Sequence, residues 1–219
     1  MKENKLVTRW LIYIAGMSIQ GLGLYLNARC GLGTSALLGV AYVGSLAANM
    51  SFGDASKIVF GLYIVAQFVV RGWKGKQWRD LLQLPVALFV GEVFNLLDAV
   101  FPAQAVLDSW ALRILVLVCA VTFNGIGATL AVNMRLIPSP GDGIVQALAD
   151  RTGMELGKMK RIMDCTMVVL AVIMSFAIFG RLEGVGLGTV VAMFGVGKII
   201  SRCNRLFGDK IRAAAGMDR

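Results

Sequence analysis

The hydrophobic residues of this chain fall into long runs, separated by short polar or glycine-rich breaks. Several runs approach the length of about 20 residues that crosses the hydrocarbon core of a bilayer as a helix. A shorter and more polar element at 141–152 lies between two of them. The pattern predicts an all-α, polytopic transmembrane bundle that forms a single membrane domain over residues 1–219. The apolar segments are 8–29, 36–50, 56–72, 80–101, 110–133, 157–180 and 185–207.

The composition argues against a water-soluble domain. Hydrophobic residues make up 57% of the 219 positions and charged residues only 16%, whereas soluble domains carry about 25% charged residues. So few charged side chains cannot cover a globule of this size with polar surface. We therefore expect the lipid bilayer to be a partner of the chain, and we interpret the first apolar run as a retained span rather than a signal peptide.

The basic residues, which give a formal net charge of +9, are clustered along the chain. The clusters lie at 2–9, 71–79, 157–161 and 198–219. Because short basic loops of multi-spanning proteins face the cytoplasm, the clusters predict one cytoplasmic side that also holds both termini. That assignment requires segments 36–50 and 141–152 not to cross the membrane. No nucleic-acid motif accompanies the charge, so no nucleic acid is expected as a partner.

The second half of the chain repeats the first at a fixed offset of 104 residues. The stretch "GLGLYL" recurs as "GIGATL", and in the same ungapped register Ser35 falls on Ser139. The two repeats extend over about 8–103 and 112–207, each with three spans and one short non-crossing helix. Three crossings are an odd number, so we predict that the two halves are inverted relative to each other.

Each half contains a break marked by glycine or proline and followed by a short helix, in "GLGTSALLGV" and in "IPSPGDGIVQ". A helix of about 12 residues reaches only about 18 Å, which is well short of a hydrocarbon core of about 30 Å. Paired interrupted segments in inverted repeats are typical of secondary transporters, where they line the binding site. The alternative is a surface helix that only bridges two spans.

Polar residues within the spans are the candidates for function, because a charge at the bilayer centre costs about 2.5–3.5 kcal/mol on insertion scales. Glu92 lies inside a span, and Asn95 shares its helical face. Burial there favours the protonated carboxyl group, which suits a proton-coupled step, although a purely structural hydrogen-bonded acid fits equally well.

Three further charged residues lie at the start of the short polar helix and at the start of the span that follows it. Asp142 follows "PSPG" and either caps free backbone N–H groups or binds substrate. Arg161 and Asp164 stand three residues apart and predict a structural ion pair, with Asp164 facing a cavity as the alternative. The predicted substrate-binding residues are Ser35, Glu92, Asn95, Asn124, Ser139, Asp142, Asp164 and Thr189.

No motif for catalysis or metal binding is present in the sequence. The chain has no histidine, and its four cysteines stand far apart without metal-site spacing. The stretch "GVGLGT" at 184–189 lacks the Lys-Ser/Thr ending of a phosphate loop and indicates close helix packing instead. The expectation is therefore a protein that is not an enzyme and that holds no metal ion or cofactor.

The second break and its surroundings resemble the YczE/YitT-type family of bacterial integral membrane proteins. The similarity covers nearly the whole chain, but the first break departs from the family pattern because "GLGTSALLGV" lacks a Pro-x-Asp. The resemblance implies a multi-pass protein of the bacterial inner membrane with a role in transport, and it names no substrate. The matching positions are Leu136, Pro140, Asp142, Arg151, Thr152, Gly153, Gly186, Gly188 and Thr189.

Together these features favour a secondary transporter, or permease, that moves a small polar or amphipathic molecule by alternating access between two halves. Proton coupling is one option for its energy source. Two alternatives stay open: a substrate-binding membrane subunit of a larger transport complex, and a membrane scaffold or assembly factor without transport activity. A homo-oligomer is compatible with all three.

Overall fold

A computed structural model describes residues 2–72, 80–101 and 109–217. Within these ranges the regular secondary structure is all helical, which confirms the predicted all-α class there. A short 3-10 helix, Ala36–Leu38, leads directly into the second α-helix. The α-helices of these ranges are α1 (Lys2–Arg29), α2 (Gly39–Ala48), α3 (Phe52–Arg71), α4 (Gln83–Val100), α5 (Trp110–Asn133), α6 (Pro140–Thr152), α7 (Leu156–Phe179) and α8 (Leu187–Ala214).

Five helices of the described chain are long and apolar enough to cross a membrane, namely α1, α3, α4, α5 and α7. The sequence pattern predicted six spans, and the difference lies in α8. That helix has 28 residues, but basic and polar residues occupy its second half and lower its hydropathy. The short helices α2 and α6, with 10 and 13 residues, are much shorter than the five.

The long helices alternate in direction between two ends of the bundle. We call end A the end where α1 finishes and Arg29 forms an ion pair with Asp98, near the end of α4. End B is the opposite end, where the guanidinium group of Arg9 donates a 2.7 Å hydrogen bond to the carbonyl of Met134, just after α5. Helices α1 and α5 therefore run antiparallel.

Neither short helix carries the chain from one end to the other. Helix α1 finishes at end A and α3 begins there, where the Ser51 hydroxyl donates a 2.8 Å hydrogen bond to Asn95 Oδ1 in α4. Helix α2 lies between these two points. Helix α6 connects α5 to α7 at end B, where Arg71, at the end of α3, lies 3.8 Å from the Asp150 carboxylate.

Helix boundaries in the two halves recur at the same spacing. Five boundaries of the first half have counterparts 104 residues later: two helix ends and three helix starts. The pairs are Arg29 with Asn133, Ala36 with Pro140, Ala48 with Thr152, Phe52 with Leu156, and Gln83 with Leu187. The residue spacing that the sequence repeat predicted is thus also the spacing of the helices.

The turns after α1 and α5 share a left-handed backbone at equivalent positions. Gly31 has φ of 70° and Arg135, 104 residues later, has φ of 49°. The caps that end α2 and α6 match in the same way, with φ of 51° at Asn49 and 70° at Gly153. Non-glycine residues rarely adopt this conformation, so its occurrence at both members of each pair reflects a shared local fold.

Helices α1 and α5 cross in backbone contact. A Cβ atom on Gly23 would lie 2.3 Å from the backbone nitrogen of Asn124, and one on Gly127 would lie 2.3 Å from the backbone nitrogen of Gln20. The two contacts are reciprocal, because each residue of one pair stands 104 positions from a residue of the other. Small residues let helix backbones approach in membranes, and these two glycines allow that approach here.

We predict that Gly23→Ala destabilises the protein, because the added methyl group meets backbone atoms that cannot move aside. Overpacking of this kind costs about 1–3 kcal/mol, which lowers the melting temperature of a chain of this size by roughly 2–12 °C. The measurement is thermal unfolding of the detergent-solubilised protein. Gly61→Ala in α3 is the matched control: its Cβ would meet no atom within 4 Å, so its melting temperature should equal or exceed the wild-type value. Equal stability of the two variants would contradict the proposed contact.

Candidate functional site

The polar start of α6 is built around its N-cap. The Ser139 hydroxyl accepts a 3.2 Å hydrogen bond from the backbone N–H of Asp142 and donates one of 2.8 Å to the Asp142 carboxylate. Pro140 occupies the first helical position, where its missing N–H is not needed. Ser139 therefore caps the helix, and the Asp142 carboxylate stays available, 3.5 Å from the Lys160 ammonium group of α7.

A second acid lies close to this start. Asp164, one helical turn after Lys160, is only 7% exposed, and Lys160 and Asp142 lie within electrostatic range of it. We call Ser139, Asp142, Lys160 and Asp164 the α6 cluster. The sequence predicted the three acidic and hydroxyl members of this cluster and missed Lys160.

The predicted ion pair between Arg161 and Asp164 does not form. No contact between their charged groups occurs in the described residues, and Asp164 is buried whereas Arg161 borders a groove beside α8. Three residues along a helix turn by about 300°, which allows pairing. Here Asp164 is buried in the protein, whereas Arg161 is not, so their charged groups stay apart. Asp164 therefore shares its neighbourhood with Lys160.

The start of α6 lies against the 3-10 helix that leads into α2, next to the α6 cluster. A Cβ on Gly141 would lie 2.9 Å from Leu37 Cδ1, and Leu37 and Gly141 stand 104 residues apart. The carbonyl of Leu37 accepts a 2.7 Å hydrogen bond from the Tyr63 hydroxyl of α3. The half-buried Ser35 precedes this contact and forms no side-chain cap.

An open cavity of about 290 Å³ lies at end A, between the first break and the loop before α8. Its walls include Thr34, Tyr42, Trp110 and Glu183 together with the glycines of both loops. The Thr34 N–H donates a 2.8 Å hydrogen bond to the Gly184 carbonyl, which ties the loops together. We call this space the end-A cavity.

The hydroxyl of Thr34 is buried and has no hydrogen-bond partner among the described residues. A buried polar group left unpaired costs about 1–3 kcal/mol, so such groups usually have water or a ligand as partner. Thr34 lines the end-A cavity, and its unpaired hydroxyl is buried in the wall of that cavity. The predicted Thr189 stands behind the same loops, where its hydroxyl accepts a hydrogen bond from the Gly186 N–H at 3.2 Å.

Glu92 and Asn95 lie outside both places. The expectation of a buried carboxylate was wrong for Glu92, whose side chain is 66% exposed at the protein surface and forms an ion pair with Lys57. Asn95 donates a 3.1 Å hydrogen bond to Asp54 and belongs to the same group. The hydrophobic context of the sequence did not reveal that Glu92 faces outwards, because that depends on which helix face packs.

Asn124 is also separate from the α6 cluster and the end-A cavity. It is buried in the α1–α5 crossing, where its backbone nitrogen lies against Gly23. The eight predicted residues therefore do not form one site: three belong to the α6 cluster, Ser35 and Thr189 flank the first break, and the other three lie elsewhere.

A buried pair of amides that the sequence analysis missed holds α6 in place. Gln67 of α3 and Gln83 of α4 exchange two hydrogen bonds of 3.0 and 2.9 Å, and Gln67 also donates one of 3.3 Å to the Pro140 carbonyl. A Cβ on Gly143 would lie 2.6–2.7 Å from these amides, so the close approach requires glycine. The signal was present in the sequence, since Gln67 is an uncharged polar residue within a predicted span.

The chain belongs to DUF6198, a family of unknown function whose model matches residues 7–205. No curated protein and no solved structure gives a significant match to the chain. The family is not linked by name to YczE/YitT-type proteins, so that resemblance stays a prediction.

We predict that Gln67→Leu destabilises the protein, because it leaves the buried Gln83 carbonyl oxygen unpaired and its N–H group with only a 3.5 Å hydrogen bond to Asp80. Adding Gln83→Leu should restore much of the loss. An unpaired buried amide costs about 1–3 kcal/mol, whereas replacing both partners by apolar groups is close to neutral. Thermal unfolding of the wild type, both single variants and the double variant in detergent gives the coupling energy. Additive losses in the double variant would contradict the paired arrangement.

Proposed function

We propose that the chain is a permease built from two inverted repeats, which moves a small polar or amphipathic molecule across the bacterial inner membrane. The observation that carries this proposal is the recurrence of helix boundaries 104 residues apart in halves whose first helices, α1 and α5, run antiparallel. Inverted repeats with short interrupted helices at their interface are an architecture of secondary transporters.

We propose the following topology. End B faces the cytoplasm and holds both termini, because basic residues of the N-terminus, of the α6–α7 region and of the C-terminal half of α8 lie there. Carboxylates such as Asp54, Asp98 and Glu183 lie at end A. Helix α8 then crosses as the sixth span, and its basic second half lies towards the cytoplasm.

The binding region that we propose spans the contact between the two short helices. The α6 cluster lies on one side of the Leu37–Gly141 contact, and the end-A cavity opens beside the break that precedes Leu37. Rocking of one half against the other about the α1–α5 crossing would expose this region to each side of the membrane in turn. Asp164, rather than Glu92, is the proposed carboxylic acid for a proton-coupled step, because it is the buried one of the two.

The inverted arrangement predicts that equivalent residues are reached from opposite sides of the membrane. Met50 and Met154 form a matched pair, 104 residues apart and 37% and 36% exposed. In a background without the four native cysteines, Met50→Cys should react with a membrane-impermeant maleimide in intact cells. Met154→Cys should react only after the membrane is opened. Labelling of both from the same side would contradict inversion.

Alternating access predicts that Ser35→Cys, next to the meeting point of the short helices, reacts with an impermeant maleimide added from either side. Right-side-out and inside-out vesicles of the same cysteine-free background provide the two measurements. Met50→Cys is the control and should react in one vesicle type only. If Ser35→Cys also reacts from one side only, the chain is a scaffold or a static binding subunit rather than a permease.

A further inference from the structure

A groove of about 530 Å³ runs between α7 and α8. In the first half, α3 and α4 pack closely along each other. The helices at the equivalent positions of the second half, α7 and α8, make few contacts with each other. The residues of α8 that line the groove share one face of that helix, since they recur at intervals of three and four positions. The basic residues that line it are Arg161, Lys198, Arg202 and Arg205.

The groove is apolar towards end A and basic towards end B. Met193 and Phe194 line it near the start of α8, and the positive charges follow from Lys198 to Arg205. At 1.5 Å per residue, about 16 Å separates Phe194 from Arg205 along the helix axis. This is the order of groups along an anionic amphiphile, with an apolar chain directed into the membrane and a charged group near its surface.

The four basic side chains form no ion pair within the described residues. In the first half, basic residues have acidic partners: Lys57 pairs with Glu92, and Arg29 pairs with Asp98. At the positions 104 residues later, Arg161 replaces Lys57, but Val196 replaces Glu92 and Arg202 replaces Asp98. The second half has therefore kept the cation at 161, lost both acids and gained a cation at 202, while Asn133 stands where the first half has Arg29. No acidic residue of the described ranges lines the groove.

We propose that this groove binds an anionic phospholipid from the leaflet at end B, with the phosphate group held by the four basic side chains and an acyl chain lying along Met193 and Phe194. Basic pockets between membrane helices are suited to anionic headgroups, and guanidinium groups bind phosphate through paired hydrogen bonds. The bound lipid supplies the negative charge that the chain itself lacks there. This site is independent of the proposed transport function.

Native mass spectrometry of the purified protein in mild detergent tests the proposal. Phosphatidylglycerol and phosphatidylcholine with identical chains are titrated onto the wild type and onto the variant Lys198→Gln/Arg202→Gln. The control variant Arg151→Gln/Lys210→Gln removes the same charge from exposed positions outside the groove. Wild type and control should retain one phosphatidylglycerol in preference to phosphatidylcholine. The groove variant should lose affinity for phosphatidylglycerol by about 30-fold, since each basic residue near an anionic surface contributes about a fivefold factor.

Arg161→Gln is a second variant, on the α7 side of the groove, and should weaken phosphatidylglycerol binding without changing phosphatidylcholine binding. Equal losses in the groove variant and the control would reduce the effect to general surface charge and overturn the proposal. Displacement of the lipid by an equal concentration of inorganic phosphate would identify a site for soluble anions instead. A dimer that dissociates in the groove variant would identify a second copy of the chain as the occupant.

Discussion

The crossing of α1 and α5 is the contact on which the rest of the architecture depends. Lipid chains are as apolar as leucine, so burial of hydrophobic surface does not drive helices together inside a membrane, and close packing decides which helices associate. Gly23 and Gly127 bring two backbones into direct contact. Helix α4 then packs on α1 and α8 on α5, so each half is assembled on its own member of the crossing pair.

The short helices pack between the two halves. Helix α6 packs on α3 as well as on α7, and α2 packs on α7 as well as on α3, so each short helix contacts both halves. The contacts are equivalent in detail: Gly143 lies against Gln67, and Gly39 lies against Ala171, the residue 104 positions after Gln67. Because both short helices contact both halves, a relative movement of the halves would shift the short helices against at least one of their neighbours.

Several helix boundaries recur 104 residues apart, whereas the side chains at equivalent positions differ. The first half holds its helices with polar and charged pairs, such as Gln67 with Gln83 and Lys57 with Glu92. In the second half the acid is buried instead, at Asp164, whose counterpart in the first half is Phe60.

The sequence by itself determined the helical membrane class, the position of the breaks and the 104-residue spacing, because span length, hydropathy and glycine placement are local properties of the chain. It also indicated Ser139, Asp142 and Asp164, which the structure brings close together. It could not determine that Glu92 faces outwards, that Arg161 turns away from Asp164, or that Gln67 meets Gln83. Those outcomes depend on which face of each helix contacts which neighbour, and only the tertiary packing of residues far apart in sequence decides that.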